Sequence, residues 1–238
     1  MQTIDFKRLG LSSGDRLLDL GCGEGRHALS AYLYEDVAAV GVDLSQKDIL
    51  TARGKSRPFL ATDNLLKSLD LQVADALNLP FPAASFDKVI CSEVLEHIPD
   101  FIAVLLEINR VLKPSGVLSV SVPRFGPEWV CWALSDEYHA NEGGHLRIFK
   151  AKELRRAIEQ IGMTYFDRHW AHALHAPFWW LQCLFWKSRE TSRLVKSYHA
   201  LLVWDMMKKP RLTRFLDHLL NPLIGKSVVM YFKKGPRI

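Results

Sequence analysis

The chain is poor in the features that would set it apart from an ordinary globular protein. Its 238 residues hold four cysteines, Cys22, Cys91, Cys131 and Cys183, and no two form a C-x-x-C pair. That scatter argues against both a disulfide framework and a structural zinc site. Long apolar runs are missing as well. The most apolar block, Pro177-Phe-Trp-Trp-Leu-Gln-Cys-Leu-Phe-Trp186, is well short of the ~20 residues that a bilayer span needs. Met1 to Gly10 lacks the basic start and apolar core of a secretory signal, so the expected location is the cytoplasm. No internal repeat or low-complexity tract breaks the sequence. Apolar residues make up 48% and charged residues 24%, a composition that folds rather than one that stays disordered. The length favours one domain carrying an insertion.

The net charge of +5 is unevenly spread. From Ala171 onward there are 12 Lys and Arg against 3 Asp and Glu, whereas residues 1–170 are net negative. A basic, aromatic-rich end on a mildly acidic body suggests attraction to an anionic surface, either membrane headgroups or nucleic acid.

Apolar runs alternate with helical patterns through the first half. Arg16-Leu-Leu-Asp-Leu20 predicts a strand closed by a glycine cluster, and Glu24 to about Tyr34 predicts a helix with Ala28, Leu29 and Leu33 inward. Val37 to Val42 predicts a second strand ending at Asp43, with Ser45 capping a helix over Gln46 to Arg53. Further strands are expected at Leu69–Val73, Phe86–Cys91 and Val117–Val122, with an amphipathic helix at Phe101–Leu112 that stops before Pro114 and Gly116. Such alternation over short connections predicts an open parallel sheet covered on both faces. An irregular stretch then runs from Arg124 to Arg147 and includes Trp129, Trp132, Tyr138, His139 and His145. A helix at Lys150–Ile161 and a strand at Met163–Arg168 follow, and Ser227–Phe232 predicts the last strand. Residues 1–170 and 226–238 therefore read as the core, and residues 171–225 as an insertion of roughly fifty residues.

Open parallel sheets bind nucleotide-like ligands at the carboxyl ends of their strands, where a glycine turn admits the ligand and a following acid takes the ribose hydroxyls. Asp19-Leu-Gly21-Cys-Gly23-Glu-Gly25 supplies the turn, and Asp43 follows Asp19 by 24 residues at the end of the next strand. A dinucleotide site wants G-x-G-x-x-G so that a pyrophosphate can rest on the helix N-terminus; the spacing here is G-x-G-x-G, with Arg26 and His27 next, which disfavours NAD.

Five segments in order, Leu17 to Gly25, Val42-Asp-Leu-Ser45, Ala74-Asp-Ala-Leu-Asn-Leu-Pro-Phe81, Ser85-Phe-Asp-Lys-Val-Ile-Cys91 and Arg110-Val-Leu-Lys-Pro-Ser-Gly-Val117, resemble the motifs of class I S-adenosylmethionine-dependent methyltransferases, in the subgroup that includes ubiquinone and menaquinone biosynthesis enzymes. The resemblance covers about half the chain. It implies a Rossmann-like α/β fold, a mostly parallel seven-stranded sheet with helices on both faces and the last strand antiparallel, here with an aromatic helical insertion before that strand. It also implies S-adenosylmethionine as cofactor, held by Asp19, Gly21, Cys22, Gly23, Asp43, Leu44, Asp75, Ala76 and Ser92. In that arrangement the backbone at Gly21 and Gly23 passes the methionine moiety, Asp43 binds the ribose diol, Asp75 and Ala76 meet the adenine edge, and Ser92 and Glu93 close the site near the methyl group.

The sulfonium is already a strong donor, so positioning the acceptor comes first. A hydroxyl or activated-carbon acceptor also needs a base, for which Glu93, His97 and His145 are the candidates. A run similar to Glu93-Val-Leu-Glu96-His97 binds a divalent metal in some relatives of the family; here the favoured reading is that Glu93 lines the cofactor site while Glu96 and His97 orient the loop at Pro99, and no metal is expected. His169-x-x-His172-x-x-His175 does not hold one helix face and reads as packing or a substrate contact rather than a metal site.

In the insertion, Leu212, Phe215, Leu216, Leu219 and Leu220 follow helical spacing opposite Arg211, Arg214, Asp217 and His218, while Lys208, Lys209 and Arg211 flank Pro210. Tryptophans beside basic residues suit either a cap that buries its own aromatics or an element at residues 177–220 that also touches a membrane at its inner face. Both readings give a large apolar acceptor pocket for a small, lipid-like molecule. Nucleic acid is disfavoured, because the Lys and Arg interleave with an apolar block better buried than stacked on bases. RNA-directed methylation and non-catalytic cofactor binding at a membrane are the alternatives. The oligomeric state and the acceptor are not legible.

Overall fold

A computed structural model describes residues 2–60, 67–140, 144–208 and 210–236. A short helix, α1 (Phe6–Leu9), precedes β1 (Arg16–Leu20) and α2 (Arg26–Tyr34). Then come β2 (Ala38–Asp43), α3 (Gln46–Ser56), β3 (Ser68–Val73), β4 (Phe86–Ser92) and α4 (Phe101–Val111). β5 (Leu112–Pro123), α5 (Phe125–Leu134), α6 (Asp136–His139), α7 (Ala151–Gln160) and β6 (Met163–Ala171) follow. The chain ends with α8 (Ala176–Leu184), α9 (Arg193–Lys208), α10 (Arg211–Ile224) and β7 (Ser227–Lys234).

The seven strands form one sheet in the order β3-β2-β1-β4-β5-β7-β6. β1 pairs in parallel with β2 and β4, and only β7 runs antiparallel, inserted between β5 and β6. This is the open sheet that the alternating pattern predicts, and its Rossmann-like, mostly parallel seven-stranded form with an antiparallel last strand is what the family resemblance implies. Strand order reverses at β1, so the carboxyl ends of β1 and β4 diverge and open a crevice there.

Alternation along β1 divides the core. Leu18 and Leu20 face the layer made with Val104, Leu105, Ile108, Val111 and Ile158, while Leu17 faces Tyr32, Ala31 and Tyr231 on the other side. The four α4 residues are wholly buried, and truncating Leu105 or Ile108 to alanine would cost about 2–5 kcal/mol. Ser45 caps α3 by accepting from the Asp48 amide at 3.2 Å, as its position predicts, and Asp100 caps α4 through Ala103.

Several expectations need correction. Leu33 is 51% exposed, because α2 rests on the sheet through His27, Ala28, Ala31 and Tyr32. The stretch from Arg124 to Arg147 is not irregular throughout: α5 and α6 occupy much of it, with Pro127 in the first turn of α5, where a missing N–H costs nothing. Residues 141–143, Lys209 and the His139 side chain lie outside what is described. β5 starts at Leu112 rather than Val117 and bulges, since Phe86 pairs with Leu112 while Lys88 pairs with Val117.

Two of the three spaced histidines tie the chain's beginning to β6 and the turn that follows it. His169 stacks on Tyr231 and contacts the Thr3 carbonyl at 3.1 Å, His172 Nε2 lies 3.0 Å from the Thr3 hydroxyl, and His175 packs edge-on against His172. Burial holds all three below the usual imidazole pKa, which suits uncharged packing.

Between β6 and β7 lie α8, α9 and α10. α8 packs on α5, with Trp180 Nε1 donating to the Pro127 carbonyl at 3.0 Å. No helix among the described residues is long and apolar enough to cross a membrane.

Candidate active site

The turn after β1 is built to keep side chains out of the crevice. Gly21 and Gly23 have φ of 67° and 52°, left-handed values that cost most residues about 1 kcal/mol or more. At Gly21 the restriction is also steric, since a Cβ there would come within 2.3 Å of Val94 Cγ2. Asp43, at the end of the neighbouring strand, locks the turn: its Oδ2 accepts from Gly23 N at 2.8 Å and its Oδ1 from Ser45 N at 2.9 Å. Each oxygen keeps a further lone pair for a ligand.

Around these residues lies a cleft of about 520 Å³, within the range of small-molecule sites. Its floor and walls come from the carboxyl ends of four parallel strands: Leu20 and Gly21 after β1, Val42 to Leu44 after β2, Ala74 to Leu77 after β3, and Glu93, Val94 and His97 to Pro99 after β4. Gly21, Asp43, Leu44, Asp75, Ala76, Glu93 and His97, all singled out from sequence, line this one cleft. Asp75 Oδ1 accepts from Leu77 N at 2.9 Å, which fixes the carboxylate at the rim.

Asp19, Cys22 and Ser92 stand behind the wall rather than on it. Asp19 is 1% exposed and spends its Oδ2 on the Ala28 amide at 2.9 Å, holding the first turn of α2 against the glycine loop. Burial raises its pKa to about 7, only partly opposed by that amide. Burial and the charges of Asp19 and Asp43 push the Cys22 thiol far up, so it is no nucleophile. Ser92 Oγ is 2.9 Å from Ser121 Oγ, and Ser121 donates to Glu93 Oε1 at 2.8 Å. Glu93 is thus presented to the cleft from a backbone with φ of 57°, and its own amide donates to the Ser121 carbonyl.

His145 sits behind His97, ring centroids 5.0 Å apart, and its Nδ1 lies 2.6 Å from Glu128 Oε1. His97 Nδ1 is 3.3 Å from the Gly144 carbonyl. Glu96 is fully buried beneath them with no hydrogen-bond partner for either oxygen among the described residues. Burial, then the negative charge of Glu93, hold its carboxyl well above the ordinary range. Among the described residues, Glu96, His97 and His145 bring one ligand atom each within 4.8 Å of one another, a donor set able to hold a divalent cation.

Sequence reasoning missed Glu128, Ser121 and Val94. Glu128 carried a readable signal, a lone acid in the apolar segment Phe125–Leu134; the other two act through contacts made only by folding. Tyr138 joins this site to the insertion: its ring centroid is 6.2 Å from His145, 6.0 Å from Trp179 and 5.9 Å from Trp186.

A glycine turn and a strand-end acid at the switch point of an open sheet, with acid and imidazole groups across the cleft, define a nucleoside-binding α/β protein equipped for proton or group transfer. The comparisons narrow this. The chain belongs to the methyltransferase-domain family, whose model matches residues 11–175, and its features are those of the class I, S-adenosylmethionine-dependent kind. It is 38% identical over 112 residues to the 27-O-demethylrifamycin SV methyltransferase of Amycolatopsis mediterranei, covering 47% of this chain and 40% of that one. It is 38% identical over 117 residues to the demethylmenaquinone methyltransferase of Lactobacillus johnsonii, covering 48% and 46%. The chain thus spans less than half the length of either relative. The fold is shared with a SAM-dependent methyltransferase from Methanosarcina mazei at 16% identity, TM-score 0.63 and 100% coverage of both chains.

S-adenosylmethionine is the methyl donor that family membership implies, and the residues present fit it. The bare backbone at Gly21, against which any side chain would collide with Val94, and the Asp43 carboxylate with spare acceptor capacity are the two parts that a sulfonium nucleoside needs.

Proposed function

We propose that the protein transfers a methyl group from S-adenosylmethionine to a small, apolar, lipid-like acceptor. The observation that carries this reading is the single cleft that gathers Gly21, Asp43, Asp75 and Ala76 on one side and Glu93 and His97 on the other. Bound there, the cofactor supplies an electrophilic methyl carbon on a sulfonium. Asp43 accepts from the ribose hydroxyls, and Asp75 with Ala76 meets the adenine edge. Glu93 and His97 face the acceptor, where either can take its proton, with His145 behind His97. The aromatic chain from His145 through Tyr138 to Trp179 and Trp186 supports an apolar acceptor side. So does the similarity to a demethylmenaquinone methyltransferase, whose acceptor is a quinone precursor. In this reading residues 1–170 and 226–238 form the catalytic core, and residues 171–225 form a cap. The protein works in the cytoplasm, at the inner face of a membrane in which such acceptors dissolve.

The test is incubation of the purified chain with methyl-labelled S-adenosylmethionine and separate lipid, small-metabolite and RNA fractions. Label in the lipid fraction, lost in the Asp43→Ala variant, is the expected result. Label in RNA alone would overturn the acceptor class, and cofactor binding without any labelled product would overturn catalysis. Asp43→Ala itself should weaken cofactor binding about 10- to 100-fold by calorimetry, the worth of one or two charge-assisted hydrogen bonds.

A further inference from the structure

Helix α10 turns inward a mixed face, in which hydrogen-bonding side chains sit beside the half-buried Leu216, Leu220 and Ile224. Thr213, Asp217 and Asn221, four residues apart, face the body of the protein. Asp217 Oδ1 accepts from Leu174 N at 3.0 Å, Asn221 Oδ1 accepts from Ala173 N at 2.9 Å, and the Thr213 hydroxyl donates to the Asp205 carboxylate. On a helix of 3.6 residues per turn, Leu212, Phe215, Leu219 and Leu223 then lie on the opposite face. They are 68%, 62%, 57% and 71% exposed, and no residue of α10 is buried. An apolar stripe that normally drives a helix onto its core here points away from it. α10 is held by these hydrogen bonds to the turn at 173–175 and by the half-buried Leu216, Leu220 and Ile224, while the outward stripe adds little to the fold in this state.

We propose that this face docks the protein onto an anionic lipid surface. Charge decides between occupants. Arg211 and Arg214 flank the stripe, are exposed, and make no ion pair among the described residues. Met207, 76% exposed, and the exposed Lys208 extend the same combination onto the end of α9. Residues 171–238 are strongly net positive while the rest of the chain is negative. A second copy would set arginines against arginines, whereas phosphate headgroups would neutralise them as the leucines enter the acyl boundary. The geometry also suits lying flat, since 14 residues extend only ~21 Å and cannot cross a ~30 Å core. This surface extends the membrane location proposed above, but it is separate from the cofactor cleft, so the two readings can fail independently.

The experiment is flotation of the full chain with vesicles of phosphatidylcholine alone and of phosphatidylcholine mixed with phosphatidylglycerol, alongside calorimetry with S-adenosylmethionine. The wild type should float with the mixed vesicles, less with phosphatidylcholine alone, and less at high salt. Phe215→Ser with Leu219→Ser should weaken flotation at least about tenfold. Arg211→Glu with Arg214→Glu should abolish the preference for the anionic mixture. Both double variants should bind the cofactor as the wild type does, because they alter only exposed positions. Equal flotation of wild type and the Phe215/Leu219 variant would overturn the proposal. So would absence of flotation, or a wild-type dimer in light scattering that these two serines turn into a monomer.

Discussion

Glu128 Oε1 lies 2.6 Å from His145 Nδ1, and this contact decides which edge of the imidazole can do chemistry. With Nδ1 engaged, Nε2 is the nitrogen left to meet a proton or a cation. Glu128 is 2% exposed, and although burial opposes its charge, the contact with His145, the charge of Lys226 and the Tyr138 hydroxyl outweigh that and hold its carboxyl below the ordinary range. Its charged form is therefore favoured as the brace that orients His145. Glu128→Gln should lower kcat for methyl transfer by about tenfold or more while leaving cofactor affinity unchanged. Steady-state kinetics paired with calorimetry would check this. A loss of cofactor binding equal to the loss of rate would mean that Glu128 supports the cleft rather than the imidazole.

Gly21→Ala carries two separable penalties. One is the left-handed backbone, with φ of 67°, and the other is the 2.3 Å approach of the new Cβ to Val94 Cγ2. Together they should destabilise the chain by about 1–3 kcal/mol and weaken cofactor binding at least tenfold. Adding Val94→Ala removes the collision but not the backbone strain, so the double variant should recover part of the stability. Thermal melting with and without cofactor reads both effects. Full recovery in the double variant would assign the whole need for glycine to Val94, and none would assign it to the backbone.

The parts of this protein that were legible in its sequence are those where one residue type has one physical use. Gly21, Gly23 and the strand-end Asp43 could be placed because a glycine turn followed by an acid admits few other readings, and Ser45 because a serine before a helical pattern caps it. The mostly parallel sheet followed from alternation of apolar runs with helical ones. Where a residue could serve either of two faces, the sequence did not decide. Ala28 and Leu29 do pack inward on α2, but Leu33 does not, because the face is completed by His27, Ala31 and Tyr32, and the polar ring atoms of His27 and Tyr32 make them poor markers of burial. On α10 the periodicity grouped Leu212, Phe215, Leu216, Leu219 and Leu220 as one stripe, but the structure exposes Leu212, Phe215 and Leu219 with Leu223 and half-buries Leu216 and Leu220, since a pattern cannot say which side meets the protein. α5 was hidden by Gly126 and Pro127, which read as breakers although both lie in the first turn. Asp19, read as a cofactor contact, lies buried behind the cleft and accepts from the Ala28 amide of α2.

That buried position of Asp19 gives the last prediction. Burial raises its pKa to about 7 from an ordinary carboxyl value near 4, so the folded chain keeps a proton there that the unfolded chain releases. Between those two values the folded state binds more protons than the unfolded state, and stability contributed by this site falls as pH rises, until the loss is complete above about pH 7. The neighbouring His27 acts in the other direction: burial and the charge of Arg26 lower its pKa to about 3, so its contribution is lost progressively as pH falls from its unfolded value near 6.5 to about 3. Total stability against pH therefore mixes two slopes, and the comparison with Asp19→Asn isolates one. Asparagine keeps an oxygen for the Ala28 amide but cannot ionise. The variant should gain on the wild type by roughly 3–6 °C in Tm for each pH unit between pH 4 and pH 7, and by nothing further above that. Melting curves of the two proteins across that range test it. A constant difference at every pH would mean that Asp19 titrates alike in the folded and unfolded chain, and that its carboxyl is hydrated despite the packing of α2 over it.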